Sequence, residues 1–399
     1  MREKGLAVAV AAATYPLPQT CFTKETWSLD PPEVIALLNK IRSNGIPLAE
    51  YAGVSPMYGI KTGFNEAFII DGATRERLIR DDPRSEETIR PYLRGQDIDR
   101  WSSQWAGQWM IFSRHGIDIE SYPAIKAHLA KFRPELEPKP QDWEPSEAER
   151  KWRGRKPGSY RWYEIQDNVG YWRFFDKPKI VYNDIMWNPQ FFIDRSGALI
   201  NNTGYFIAAE DPWVLACLNA PIGWWFAWRK AQHGKDEALR YFNTFVDTYP
   251  LPKHQNHIDR AFSSVNALAA MQADIHASRS LLRDWYRHSL SIETIPTLLR
   301  DPFRLSADQF ISAVGKARGN RKAPLSATDI ALVRQEYTRT VAPMARRLVD
   351  ALQHERAISD LVNAAYGLTP EEVALMWGTA PPRMPLDPQE ELRHLGDTN

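Results

Sequence analysis

The alternation of apolar and polar positions changes character near residue 250. Before it, short aromatic and β-branched runs are interrupted by turn residues, the pattern of half-buried strands. The run 64–70 closes on Asp71-Gly72, Trp109-Met110-Ile111-Phe112 gives way to a polar loop, and Lys179-Ile180-Val181-Tyr182 is a further strand. Phe191-Phe192-Ile193-Asp194 and Ala198-Leu199-Ile200 flank Arg195-Ser196-Gly197, a spacing that predicts a hairpin with a short glycine loop, and residues 204–208 follow as a third strand. Helices are expected within this part at 211–218 and around 123–132.

Beyond residue 250 the period lengthens to that of helices. Residues 266–287 are rich in alanine and leucine, and Ser326 with Asp329 opens another helix by a capping-box arrangement. Met344, Leu348, Leu352, Ile358, Leu361, Val362 and Ala365 form one apolar stripe, which Gly367 ends. Thr369-Pro370-Glu371-Glu372 supplies cap, first-turn proline and reciprocal glutamate for the next helix. Pro381, Pro382 and Pro385 then stop regular structure. The expected class is α+β: an N-terminal remnant or linker at 1–26, a β-rich domain at 27–255, a helical domain at 256–384 and a flexible tail at 385–399.

Composition narrows the chemistry. The 399 residues carry 50 basic and 49 acidic side chains, so any polyanion is held by a local patch and not by the overall field. The longest apolar stretch, 213–228, is broken by Asn219, Pro221 and Gly223, and no membrane partner is expected. Cys21 and Cys217 make neither a disulfide framework nor a zinc site, and His254 and His257 read as a surface loop, so no metal is expected. The alanine run at 5–13 mimics a secretory signal, but it holds one leucine and follows Glu3, which favours the cytoplasm. Asn201-Asn202-Thr203 would be a glycosylation acceptor only in a secreted chain.

No phosphate-binding glycine loop, dinucleotide fingerprint, His-Glu-x-x-His or nucleophile elbow is present in the sequence. Asp30-Pro31-Pro32-Glu33 approaches the loop with which amino-methyltransferases hold an exocyclic amine, yet Glu33 replaces the stacking aromatic. Asp30 as an N-cap, with Pro31 as first residue of an amphipathic helix through 34–38, is the better reading, and no catalytic residue is assigned.

The positive signal is cationic and aromatic. Residues 150–163 contain Arg150, Lys151, Arg153, Arg155, Lys156 and Arg161 with no acid, and Trp152, Tyr160 and Trp162 between them. Such cations neutralise phosphates, and such rings pack on sugars or bases; a solvated loop compensating Glu144, Glu147 and Glu149 is the alternative. Lys316-Ala317-Arg318-Gly319-Asn320-Arg321-Lys322 is a second basic loop. In the turn 58–65, Gly59 and Gly63 permit close backbone approach while Lys61, Thr62 and Asn65 suit phosphates or base edges. Arg94 and Gln96 suit guanine or adenine, unless Arg94 simply pairs with Asp97 across a turn.

Taken in order, these segments resemble the TaqI-like C-terminal specificity domain of adenine-specific DNA methyltransferases and fused type II restriction–modification enzymes. The resemblance is carried by Gly59-Ile60-Lys61-Thr62-Gly63-Phe64-Asn65-Glu66-Ala67-Phe68-Ile69-Ile70-Asp71, then by Arg90-Pro91-Tyr92-Leu93-Arg94-Gly95-Gln96-Asp97-Ile98. Trp162-Tyr163-Glu164-Ile165-Gln166, Lys177-Pro178-Lys179-Ile180, Asn202-Thr203-Gly204-Tyr205 and Tyr249-Pro250-Leu251-Pro252 follow, and 359–372 is similar to the helical ending of large fused members. It implies a DNA target-recognition domain that lacks the catalytic domain, with Lys61, Thr62, Asn65, Arg94 and Gln96 as DNA contacts and Pro178, Tyr205 and Pro250 as scaffold. It implies double-stranded DNA and a methyltransferase catalytic domain or subunit as partners. No cofactor is expected in this chain, since S-adenosylmethionine belongs to that catalytic part. A self-sufficient methyltransferase with a degenerate loop at Asp30 to Glu33, or a protein-binding scaffold, are the alternatives.

Overall fold

A computed structural model describes residues 29–145, 150–253, 258–318 and 324–386, together with Thr14. The alanine run, Cys21, His254 and His257, Glu147 and Glu149, the second half of the 316–322 loop and the tail from 387 lie outside the described residues. Strands follow one another as β1 (Gly45–Pro47), β2 (Met57–Tyr58), β3 (Ile69–Ile70), β4 (Ile89–Leu93), β5 (Trp109–Ile111), β6 (Lys179–Asn183), β7 (Ile185–Met186), β8 (Phe191–Asp194), β9 (Leu199–Ile200), β10 (Gly204–Ile207), β11 (Gln232–His233), β12 (Leu239–Arg240) and β13 (Pro250–Pro252). They form an antiparallel sheet β2-β10-β6-β8 and a second sheet β3-β5-β4-β9, in which β9 runs parallel to β4. A small sheet β11-β12-β7 and the antiparallel pair β1-β13 complete the set.

Strand β6 shows why these runs read as continuously apolar. Ile180 and Tyr182 enter a core shared with helices, while Val181 between them enters the opposite core with Phe192, Phe206 and Ile60. Alternate side chains face opposite sides of a sheet, and here both sides are buried. The first core is packed by α1 (Pro32–Ser43), and the second by α2 (Asn65–Phe68), α3 (Gly72–Asp81) and α4 (Pro123–Ala130). To the first core α5 (Pro212–Asn219) and α6 (Pro221–Lys230) add Trp213, Trp224 and Trp225, each almost wholly buried.

The later helices are α7 (Ile258–Leu290), α8 (Ala307–Ala317), α9 (Ala327–Glu336), α10 (Ala342–Ala365) and α11 (Pro370–Gly378). The chain is therefore strand-rich first and helical afterwards, as the change in period predicts. Helix α7 is a common spine: Ala261, Val265 and Leu268 join the first core, while Ile275, Leu282 and Tyr286 build a third core with Phe310 and Val341. Ile358, Val362 and Met376 share the first core with Val34, so apolar packing runs continuously across residue 255. Both capping boxes form, Ser326 with Asp329 and Thr369 with Glu372, and Gly367 has φ 69° beyond α10.

Three local expectations are corrected. The run 64–70 is not one strand, because Asn65–Phe68 is helical and only Ile69–Ile70 is extended; Asp71 then caps α3, accepting from Thr74 N at 2.7 Å. Residues 191–200 are not a hairpin, since β8 pairs with β6 and β9 with β4 in the other sheet. The crossing is made by Asp194, whose carboxylate accepts from Ser196 N at 3.0 Å, Ala198 N at 3.1 Å and the buried Lys179 ammonium, and by Gly197 at φ 72°. Helix α1 starts at Pro32 with Pro31 at the cap position; Asp30 instead meets Arg229, Nε to Oδ1 3.4 Å.

Candidate nucleic-acid interface

The turn after β2 is pinned from below. Gly59 N donates to Gly204 O at 2.8 Å and Ile60 N to Ile200 O at 2.6 Å. A Cβ at Gly59 would sit 1.8 Å from Asn201 O, so this close crossing requires glycine. Thr62 is 1% exposed: its hydroxyl donates to Asn65 Oδ1 at 2.7 Å, and its carbonyl accepts from Arg155 Nη1 at 3.0 Å and Gln166 N at 3.1 Å. Thr62 is thus an anchor of the turn and not a DNA contact. Lys61 N is held by Asp167 Oδ2 at 3.1 Å, while its ammonium has no partner among the described residues. Asn65 is exposed at the start of α2; because its oxygen serves Thr62, its amide N–H groups remain available.

Arg94 follows β4 and caps a tight turn over Gly95–Asp97. Its Nη2 and Nε reach the buried Asp97 carboxylate at 2.6 and 3.1 Å, and its backbone N donates to Asp97 Oδ2 at 2.9 Å. With the Gln96 amide oxygen turned toward it, Arg94 Nη1 and Nη2 donate at 2.8 and 2.9 Å. Four of the five guanidinium N–H groups are then used within the turn, and Gln96, exposed, directs its own NH2 away from Arg94. Arg94 is accordingly a largely committed group that fixes Gln96. Gly95 lies close beneath, its carbonyl accepting from Asn183 Nδ2 at 2.9 Å; a Cβ there would stand 3.0 Å from Thr203 Oγ1.

These two turns meet. Asn65, Arg94 and Gln96 border one open groove of about 590 Å³, together with Glu66, Tyr92, Gln108, Asn201 and Thr203. Its rim is rich in carboxamides, groups that donate and accept at once and suit the edges of bases. Asn201 and Thr203 were missed as site residues in the sequence, where they stood as part of a conditional glycosylation triplet and, for Thr203, of a family motif. Their position follows from β9 passing beside β4, where Asn201 N donates to Leu93 O at 3.0 Å, and that parallel pairing has no local signal in the sequence.

The basic loop divides into two kinds of cation. Arg155 is 4% exposed and donates to the carbonyls of Leu136, Thr62, Glu164, Arg161 and Trp162 at 2.7–3.2 Å, with Tyr160 stacked at 4.3 Å. Burial pushes its pKa down to about 10, against the opposing pull of Tyr160, Glu137 and Glu164. Arg155 is therefore a structural rivet and not a DNA contact. Through the Thr62 carbonyl it fastens the basic loop to the glycine turn, so two segments separate in sequence are neighbours. Arg153 is paired with Glu135, and Arg161 donates to Tyr163 OH at 2.6 Å. Arg150, Lys151 and Lys156 are exposed, with no side-chain partner among the described residues.

The loop's rings are not free platforms either. Tyr160 is buried, its hydroxyl on the Lys156 carbonyl; Trp152 Nε1 donates to Glu137 O at 3.2 Å; and the Arg133 guanidinium lies 5.1 Å from the Trp162 ring centre. Exposed aromatics lie elsewhere, among them Tyr58, 48% exposed and 4.8 Å from Tyr205, and Trp105, 45% exposed and edge-on to Trp109. In the second basic loop Arg318 is paired with Asp329 at 3.2 Å. Among the described residues no group of three or more His, Cys, Asp or Glu side chains is placed to hold a metal, and no helix is long and apolar enough to cross a membrane.

Residues 90–251 match the TaqI-like C-terminal specificity domain, and residues 253–362 match a domain of unknown function, DUF8810. The type II methyltransferase M.PaeR7I of Pseudomonas aeruginosa is 25% identical over 202 residues, 50% of this chain and 31% of that protein. Among solved structures, the type IIL restriction–modification enzyme MmeI in complex with DNA aligns over 84% of this chain and 35% of its own, with 14% identity and a TM-score of 0.37. The type IIG restriction endonuclease BpuSI aligns over 86% and 34%, with 10% identity and a TM-score of 0.30. The chain spans about a third of the length of these relatives.

Proposed function

We propose, from the premise that residues 90–251 are a TaqI-like specificity domain, that this chain selects the DNA sequence at which an N6-adenine methyltransferase acts. The observation that carries the reading is the meeting of Asn65, Arg94 and Gln96 with Asn201 and Thr203 around one open groove. Carboxamides at that rim pair with base edges in the major groove, and Glu66 accepts from a cytosine amine. The cations of Lys61, Arg150, Lys151 and Lys156 anchor phosphates and fix the register of the duplex. Methyl transfer itself falls to a catalytic domain or subunit that binds S-adenosylmethionine and receives the flipped adenine.

The reading in which Asp30 to Glu33 forms a worn active loop is disfavoured by geometry. Asp30 is held beside Arg229, and Pro32 already begins α1, so these residues do not form a loop around an amine. Selection of duplexes from a random pool, using this chain with a matching methyltransferase catalytic domain, tests the proposal. Enrichment of one sequence with strong salt dependence is expected. Absence of enrichment, or an affinity indifferent to salt, overturns it in favour of a protein-binding scaffold.

A further inference from the structure

The helical part contains a concavity that the groove reading leaves unused. Arg279, Arg283 and Arg287 succeed one another at four-residue intervals along α7, on one helix face, and Arg300 approaches from the following segment. Together with Tyr286 and Glu293 they line a cavity of about 490 Å³, within the ~300–1,000 Å³ span of small-ligand clefts. Like charges at such spacing repel, and guanidinium groups cannot relieve the repulsion by losing a proton. Compensation from the protein is partial. Arg279 meets Asp301 at 3.1 Å and lies over Phe303 at 5.8 Å, and Arg300 Nε donates to Ile295 O at 3.1 Å. The guanidinium groups of Arg283 and Arg287 have no side-chain partner among the described residues, and Glu293 is the one acid on the lining.

We infer that this cavity is an oxyanion site for a phosphate group, held by the forked donors of Arg283 and Arg287 with Arg279 and Arg300 at its margins. Planar guanidinium groups match phosphate in a bidentate way, and four of them around one hollow leave a net positive site. The phosphate has two chemically equivalent sources, a free phosphate compound or the backbone of a duplex. The inference does not rest on the base-reading groove, which is built from other segments.

The test uses the full chain and the variant R283Q/R287Q, both positions being exposed on α7. Thermal unfolding is followed in phosphate and in chloride at matched ionic strength, and binding to a short duplex of arbitrary sequence is followed as salt rises. If the source is free phosphate, about 10 mM phosphate raises the wild-type midpoint by roughly 3 °C and leaves the variant unmoved. If it is the backbone, the midpoint is insensitive, but the variant's log–log salt slope is shallower by about 2. A second variant, R283K/R287K, which keeps the charges but not the forks, retains most of the salt slope and only part of the phosphate stabilisation. No difference between wild type and R283Q/R287Q in either the phosphate response or the salt slope overturns the inference.

Discussion

The Arg100 guanidinium donates to Glu355 at 2.6 Å, joining residues 255 positions apart. The other oxygen of the same carboxylate accepts from Trp101 Nε1 at 2.8 Å, and Arg100 also reaches Asn219 O at 2.8 Å. Trp101, 2% exposed, holds a left-handed backbone at φ 70°, unusual for so large a residue, and the contacts around it maintain that conformation. Removing the carboxylate leaves the Arg100 guanidinium without its counter-charge, held at Asn219 O, and the buried indole N–H without a partner. Glu355→Ala is expected to cost about 3–5 kcal/mol in urea unfolding, and Glu355→Gln distinctly less.

Arg155 and its exposed neighbours give opposite signatures. Arg155→Met removes the guanidinium from five carbonyls, of which those of Thr62 and Arg161 keep a backbone donor, and detaches the basic loop from the glycine turn, so a loss of at least about 3 kcal/mol is expected from denaturation curves. Lys156→Ala and Arg150→Ala are expected to change stability by no more than about 0.5 kcal/mol. Each lowers the slope of log affinity for duplex DNA against log salt by about 1.

Gln96 is aimed by Arg94, which is in turn clamped on Asp97. Gln96→Ala is expected to relax the choice of base at one position of the site by about 1–3 kcal/mol while leaving the melting temperature nearly unchanged. Competition binding against single-base variants of the selected sequence measures this. Discrimination lost evenly at every position would remove Gln96 from the role of reader.

His128 ties acid sensitivity to the core beneath the groove. Its Nε2 meets Ala67 O at 3.1 Å, and burial, helped by Lys131 and Arg77, holds its pKa below the ordinary 6.5. The unfolded chain therefore binds a proton near pH 6.5 that the folded chain still refuses. Stability is full above that pH and falls as the pH drops through the depressed value. Melting temperatures between about pH 5 and 8 are expected to decline on the acid side for the wild type and to run flatter for His128→Gln.

Much of the fold was legible because its elements are locally determined. The caps at Ser326 and Thr369, the glycine after α10 and the buried strand β6 all follow from short-range chemistry. What the sequence hid is long-range. The passage of Ala198 and Leu199 into a second sheet depends on Asp194 capturing amides ahead of it, and local alternation fits a hairpin equally well. At the site, Asn65, Arg94 and Gln96 were visible as polar groups in glycine turns. Asn201 and Thr203 entered only through the pairing of β9 with β4, and the density of charge around Arg155 concealed that one of its cations is interior.

The pairing of β1 with β13 sets Ile46 opposite Leu251 and Gly45 opposite Pro252, so the chain departs toward the groove and returns from it at neighbouring points. An excursion that starts and finishes at one doorway can be exchanged as a unit if the contacts it makes with the helical body travel unchanged. Exchanging the stretch from Leu48 to Tyr249 for the corresponding stretch of a relative, with both door-frame strands, the Arg100 and Trp101 contacts to Glu355 and helices α5 and α6 retained, would transplant a new sequence preference onto the helical body.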